Sequence, residues 1–193
     1  ADFWVRALRF FGASALAYPA DDGRPFDGIS PDPSLARSRL AARDAWAPGS
    51  RGPRPFVVLP AKALLLLAPS AIPSFPVARG DTLDRTRLLR WLTVHGYLVA
   101  QKVEEPATAA VRGGVLDVWP ANLPLPLRIE LFDDEIDAIR TFDPETQRGV
   151  ARLTSARLLP AREAPLDEAA VERATRYLAA VALASYAARD DDP

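Results

Sequence analysis

The sequence predicts an α/β fold: an α/β layered domain over residues 1–72, an α+β domain built on an antiparallel sheet over residues 73–164, and a helical segment over residues 165–193. Three observations predict it. Short apolar strands alternate with helices as far as Pro73, the pattern of a layered domain with a parallel sheet. Beyond the helix that ends near Gly96, strand follows strand with tight connections to about Glu163, as in an antiparallel meander. The chain is also 49% hydrophobic over 193 residues, enough apolar material to build a core.

The elements follow in order. In "DFWVRALRFFG", Phe3, Ala7 and Phe10 recur at helical spacing and Gly12 stands where helices turn off, so an amphipathic helix is expected. "SALAYP" reads as a short buried strand and "ADDGRPFDGISPDPS" as a turn-rich connection. Ser34 is expected to cap a helix through "LARSRLAARDAW". "APGSRGPRP" reads as a surface loop, "FVVLP" as a strand buried on both faces, and "AKALLLLAP" as a short helix that stops before Pro69. "DTLDRTRLLRWLTVHG" predicts a helix capped by Asp81 or Thr82, with Asp84 in its first turn, Leu88, Leu89 and Leu92 on one face and Gly96 at its end. Strands are expected in "YLVAQKVE", "ATAAVRGGVLDVWP", "LPLRIELF", "EIDAIRTFD" and "ARLTSARLLPA". Asp167 caps a long final helix with Val171, Ala174, Leu178 and Val181 on one stripe, before a solvated "DDDP" tail.

Composition excludes several functions. With 24 basic against 25 acidic side chains the formal net charge is −1, so no nucleic-acid footprint covers the whole surface. The absence of cysteine excludes disulfides, zinc ribbons and thiol catalysis and fits a reducing compartment. The longest apolar run, "AKALLLLAPSAI", is too short to span a bilayer and no signal segment opens the chain, so a cytoplasmic protein without membrane partners is expected. A sequence that opens at Ala1 and holds no methionine reads as a piece of a longer chain. Without a G-x-x-x-x-G-K-[ST] phosphate loop nothing cradles a triphosphate, so this segment is expected to be no enzyme and to hold no cofactor or metal. His95, before Gly96, reads as a helix-end residue rather than a base, and the "DDEID" carboxylates as a solvated turn rather than a metal site.

The residues with most to say are in "LPLRIELFDDEIDAIRTFD". A two-residue turn at Asp133-Asp134 sets Leu131 opposite Ile136 and Ile129 opposite Ala138, an apolar face. The other face carries Arg128, Glu130, Phe132, Glu135 and Asp137. Arg128 and Phe132 therefore share a strip, and both are expected to be exposed. Either Arg128 pairs with Glu130 or Asp137 while Phe132 folds over the hairpin end, or the strip is a protein-docking surface of the aromatic-plus-arginine kind.

"VRGGVLDVWP" followed by "LPLRIELFDDEIDAIRTFDPETQR" resembles the UvrA-interaction domain shared by the bacterial transcription-repair coupling factors and the excision-repair subunit UvrB, the second stretch being closer to the coupling-factor version. Upstream "ISPDPSLARSRLAAR" and downstream "LLPAREAP" extend the resemblance from about Pro19 to Pro165. The resemblance implies that the first domain is a degenerate RecA-like, helicase-type layer. It implies docking on UvrA through Arg112, Arg128 and Phe132, in the service of nucleotide excision repair at stalled RNA polymerase. It further implies that other regions of a longer parent, an ATP-dependent translocase, meet RNA polymerase and DNA and bind ATP and magnesium. The alternative is the corresponding region of UvrB, engaging damaged DNA as part of a motor. Arg112 precedes Gly113-Gly114, where a bulge or close backbone approach leaves its face open. Trp119 in place of a phenylalanine, the missing glycine after the acidic pair in "EEPATAAVRGG", and the apolar "ANLPLPL" loop depart from the family pattern.

Overall fold

The computed structural model describes residues 2–21, 32–47, 52–65, 71–164 and 167–190, with side chains of the last segment to residue 181. Most of the connection expected over residues 20–34, part of the 47–55 loop, the helix stop before Pro69 and the end of the "DDDP" tail lie outside the described residues. The fold is mixed α/β with antiparallel sheets.

In the first part, helix α1 (Asp2–Phe10), strand β1 (Ala15–Ala17), helix α2 (Pro33–Trp46), strand β2 (Phe56–Val58) and a 3-10 turn (Ala61–Leu65) follow one another. β1 and β2 pair in parallel, Leu16 opposite Val57, as the alternation of strand and helix predicts. Burial departs from expectation. Phe3 and Phe10 are exposed and Val5 is the residue that α1 buries. Phe56 is exposed and Val57 and Val58 are half-buried, because the described sheet has only two strands. The cap of α2 is Asp32, not Ser34: its carboxylate accepts the Ser34 amide at 2.8 Å and Pro33 occupies the first helical position.

The second part is a six-stranded sheet in the order β4 (Leu98–Val99), β5 (Thr108–Arg112), β6 (Val115–Val118), β7 (Leu127–Phe132), β8 (Glu135–Phe142), β9 (Gly149–Leu153). The strands from β5 to β9 form the predicted antiparallel meander. β4 is shorter than "YLVAQKVE" suggested and runs parallel to β5. A strand that the sequence reading passed over, β3 (Phe75–Ala78), pairs with β10 (Ser155–Leu158) as a separate ribbon. Pro76 hid it, since proline is poorly suited to a ladder except at an edge.

One face of the six-stranded sheet buries Ala109, Leu116, Val118, Leu127, Ile129 and Ile139 against Leu88 and Leu92 of helix α3 (Arg85–Val94) and Val77 and Leu158 of the ribbon. Asp84, expected in the first turn of α3, is its cap, accepting the Arg87 amide at 3.0 Å; Thr82 bridges to Glu135 instead. His95 closes the helix and is buried, its Nδ1 2.7 Å from the Trp91 carbonyl and its ring stacked on Trp91. The last helix, α4 (Glu168–Asp190), starts on the Asp167 cap as expected, yet Val171 and Leu178 stay exposed rather than packing.

Arg39 of α2 ties the two parts together. Nearly fully buried, it donates to Glu163 at 2.6 Å, to Asp21 at 2.9 Å and to the Pro19 carbonyl at 3.3 Å. Burial alone would disfavour its charge, but the two carboxylates prevail and hold its pKa above the ordinary arginine value.

The missing glycine has a structural counterpart. Ala107, which follows the acidic pair by two residues, takes a left-handed φ of 65° that costs an L-residue on the order of 1 kcal/mol. Ala107→Gly is expected to raise the urea-unfolding free energy by about 0.5–1 kcal/mol, net of the lost methyl contact, with no change in sheet register; a fall in the midpoint would mean that the methyl packing outweighs the backbone term.

Candidate functional site

The polar face of the sheet is organised by one side chain. Asp117 of β6 is opposite Arg128 of β7 and Ala110 of β5, on the face away from the main core. It is 0% exposed. Its Oδ1 accepts Arg128 Nε at 2.7 Å; its Oδ2 accepts Arg128 Nη2 at 2.9 Å and Arg112 Nη2 at 2.6 Å. A carboxylate with no access to water is held by two guanidinium groups, the first of them a bidentate fork. The Arg128 pKa is raised above the ordinary arginine value, chiefly by the Asp117 hydrogen bond.

Arg128 is therefore not the open side chain that strand alternation suggested. It is 19% exposed, lies 4.5 Å from the centroid of the Phe142 ring, and reaches the carbonyl and side-chain oxygen of Gln147, each at 3.3 Å. Its partner is Asp117 rather than Glu130 or Asp137; Glu130 instead accepts Arg140 at 2.6 Å. Beneath Arg128 lies a second small core of Val103, Ala110 and Phe142, with Trp119 against it. Arg112, whose face the glycines left open, falls on the Asp117 side and is 49% exposed.

Phe132 keeps the place expected of it. Leu131 packs against the main core, so Phe132 projects from the other face, 77% exposed. The hairpin that carries it departs in register. Leu131 is opposite Ile136 as predicted, but Ile129 is opposite Ile139 and not Ala138, because Asp137 is an extra residue on β8. The turn begins with Asp133 at a φ of 53°.

The ends of the two hairpins are pinned to one another. Gly113 takes a φ of 55° at the β5–β6 turn, and a Cβ on Gly114 would stand 2.9 Å from the Leu131 carbonyl oxygen, so glycine lets the two strands close up. Leu131 donates its amide to Gly114 at 2.7 Å. Arg85, at the start of α3, donates to the Gly113 carbonyl at 3.0 Å and to the Asp133 carbonyl. Arg112, Arg128 and Phe132 are thereby set on one face by three adjacent strands and a shared clamp. Sequence reasoning missed Asp117 and Arg85; the signal for Asp117 was an acid standing alone in the apolar run "VLDVW".

Residues 75–163 match the family described as the UvrB interaction domain. Outside that span, similarity continues to named relatives. The chain is 39% identical over 142 residues to the transcription-repair-coupling factor of Myxococcus xanthus, covering 72% of this chain and 12% of that protein. It is 35% identical over 142 residues to that of Haemophilus influenzae, with the same coverage, and 34% identical over 128 residues to that of Escherichia coli, covering 64% of this chain and 11% of the relative. The chain thus carries a UvrB interaction domain and is similar to transcription-repair-coupling factors over about 72% of its own length. It spans about an eighth of the length of these coupling factors. Among the described residues no group of histidine, cysteine and carboxylate side chains could hold a metal ion, and no helix is long and apolar enough to cross a membrane.

Two predictions follow from this geometry. Asp117→Ala leaves the Arg128 guanidinium half-stripped inside the protein and is expected to lower stability by about 3 kcal/mol, whereas Arg112→Ala, at a half-exposed position, changes it by less than about 1 kcal/mol. Urea titration of both variants checks the ranking, and equal losses would contradict it. The second concerns Asp143, whose carboxylate accepts the Thr146 amide at 2.7 Å and the Glu145 amide at 3.0 Å in the turn that presents Gln147 to Arg128. The Thr146 bonds, first the amide and then the hydroxyl, hold its pKa below the ordinary carboxylate value. A depressed carboxyl stabilises the fold above its unfolded-state pKa and loses that contribution as pH falls through the folded value. Acidification is therefore expected to lower the protection of the Thr146 amide, its exchange rate relative to the intrinsic rate at the same pH, before the sheet amides respond, and simultaneous loss of both would separate the turn from the Asp143 titration.

Proposed function

We propose that this chain is the UvrA-recruiting part of a transcription-repair coupling factor, and that it docks on UvrA through Arg112, Arg128 and Phe132. The observation that carries the reading is a large aromatic side chain, 77% exposed, on the same sheet face as two arginines already fixed by a buried aspartate. An exposed phenylalanine beside pre-positioned guanidinium groups suits the centre of a protein interface, where aromatic and arginine side chains supply most of the energy. The match of residues 75–163 to the UvrB interaction domain supports the same assignment. In a parent of greater length the docked UvrA would bring nucleotide excision repair to RNA polymerase stalled at a lesion.

We read the first part as a degenerate RecA-like, helicase-type layer, on the strength of its parallel β1–β2 pair with α1 and α2 beside it. Contacts with RNA polymerase and DNA, and the ATP and magnesium of a translocase, belong on this reading to other regions. The segment itself hydrolyses no ATP, and the cytoplasm is where its partners are met.

The roles of the three docking residues separate in experiment. Phe132→Ala and Arg112→Ala are expected to weaken UvrA binding at least tenfold, about 1.4 kcal/mol or more, with the unfolding midpoint nearly unchanged. Arg128→Ala is expected to reduce both, because Arg128 is also the fork on which buried Asp117 depends. Calorimetric titration of UvrA beside urea unfolding of each variant makes the comparison; intact binding by Phe132→Ala and Arg112→Ala would overturn the docking assignment.

A further inference from the structure

Strand register aligns more arginines than the docking residues account for. Arg128 of β7 is directly opposite Arg140 of β8, and Arg140 is directly opposite Arg152 of β9. Directly opposed residues of antiparallel strands share a face, so three guanidinium groups run side by side across the sheet, starting from Asp117. Like charges so placed oppose folding unless something neutralises them. Asp117 does so for Arg128 and Glu130 for Arg140. The guanidinium of Arg152, exposed on β9, has no hydrogen bond or ion pair among the described residues. Gly149 of β9 leaves room beside Arg140: a Cβ there would lie 3.3 Å from Arg140 Cδ, while the Arg140 guanidinium itself is held by Glu130 of β7.

We infer that the docking surface continues from Arg128 through Arg140 to Arg152, and that this extension takes a carboxylate-rich strip on the partner protein. The inference rests on the docking reading above. It commits to protein carboxylates rather than nucleic-acid phosphates for two reasons. Glu130 stands within the row, and Asp133, Asp134, Glu135 and Asp137 crowd the turn beside Phe132, where the closely spaced charges of a duplex backbone would be repelled. A protein surface can place single carboxylates between these acids, and the arginine fork matches a carboxylate with two parallel hydrogen bonds.

The test is titration of purified UvrA, and separately of a 20-base-pair duplex of about that length used as probe, against the 193-residue chain and its Arg152→Glu and Phe132→Ala variants at low and moderate salt. Arg152→Glu is expected to weaken UvrA binding at least about fivefold at low salt, mainly through slower association, and to flatten the salt dependence. Its urea midpoint should be no lower than that of the parent chain, since the Arg152 side chain has no internal partner to lose and a glutamate opposite Arg140 removes a like-charge pair. Unchanged UvrA affinity in Arg152→Glu with a loss in Phe132→Ala would overturn the extension and leave the docking assignment standing. Loss in neither variant would overturn both. Duplex binding by the parent chain that Arg152→Glu abolishes, with UvrA affinity intact, would also overturn the extension by making the row a phosphate surface.

Discussion

The polar face of this protein depends on the burial of one carboxylate. Asp117 has no water to solvate it, so its charge is sustainable only while guanidinium groups occupy both of its oxygens. Arg128 from β7 meets that requirement with its two-pronged fork, and Arg112 from the end of β5 adds a second donor to Oδ2. Arg128 in turn lies over Phe142 and holds the Gln147 backbone and side chain, so the 143–147 turn and the small second core are organised around the same charge. Ion pairs with partial burial add little net stability over apolar packing, but they cost a great deal to half-remove. The arrangement thus favours one geometry strongly without making the fold very stable.

The sheet supplies the platform by keeping its two faces chemically distinct. Ile129, Leu127, Leu116 and Ile139 bury against Leu88 and Leu92, and this packing fixes which residues of β6, β7 and β8 face the other way. The bulge at Asp137 matters here. By shifting β8 one place it sets Ile139 rather than Ala138 opposite Ile129, and Arg140 opposite Arg128. A larger apolar side chain enters the core while an arginine joins the polar row. Arg85 then pins both hairpin turns from the start of α3, so the end of the sheet that carries Phe132 is tied to the helix packed beneath it.

Much of this was legible in the sequence, and what was not has physical reasons. The period-two alternation of "LRIELF" placed Arg128 and Phe132 on one face, because Leu127, Ile129 and Leu131 leave no other way to bury the strand. Antiparallel order was legible from the close succession of strands, but "ATAAVRGGVLDVWP", expected as one strand, is two, β5 and β6, which turn back at Gly113-Gly114. The exposure of Arg128 was not, since it depends on a partner from another strand, and cross-strand partners follow from a register that turn length and bulges decide. Asp137 shows how one inserted residue defeats that inference. The caps expected at Ser34 and at Asp81 or Thr82 each gave way to a neighbour of similar capping chemistry, Asp32 and Asp84, a choice made by local dihedrals rather than by residue type. Phe3 and Phe10 form a helical stripe, but spacing tells only that they share a face, not that anything covers it.

On the docking reading proposed above, the two kinds of residue contribute through different terms. Phe132 is held by its strand but touched by little, so its contribution to binding comes from the apolar area that a partner covers. Arg128 has most of its hydrogen-bonding capacity already engaged with Asp117 and Gln147, and can offer a partner only what remains. What it brings is order: a long, rotamer-rich side chain whose freedom was lost on folding has less to lose on binding. Arg112, bonded through a single nitrogen and half-exposed, stands between these cases, with donors free for a carboxylate and a stem already aimed. A surface assembled in this way combines an apolar anchor with pre-ordered charge, and its specificity resides in the one geometry that keeps Asp117 satisfied.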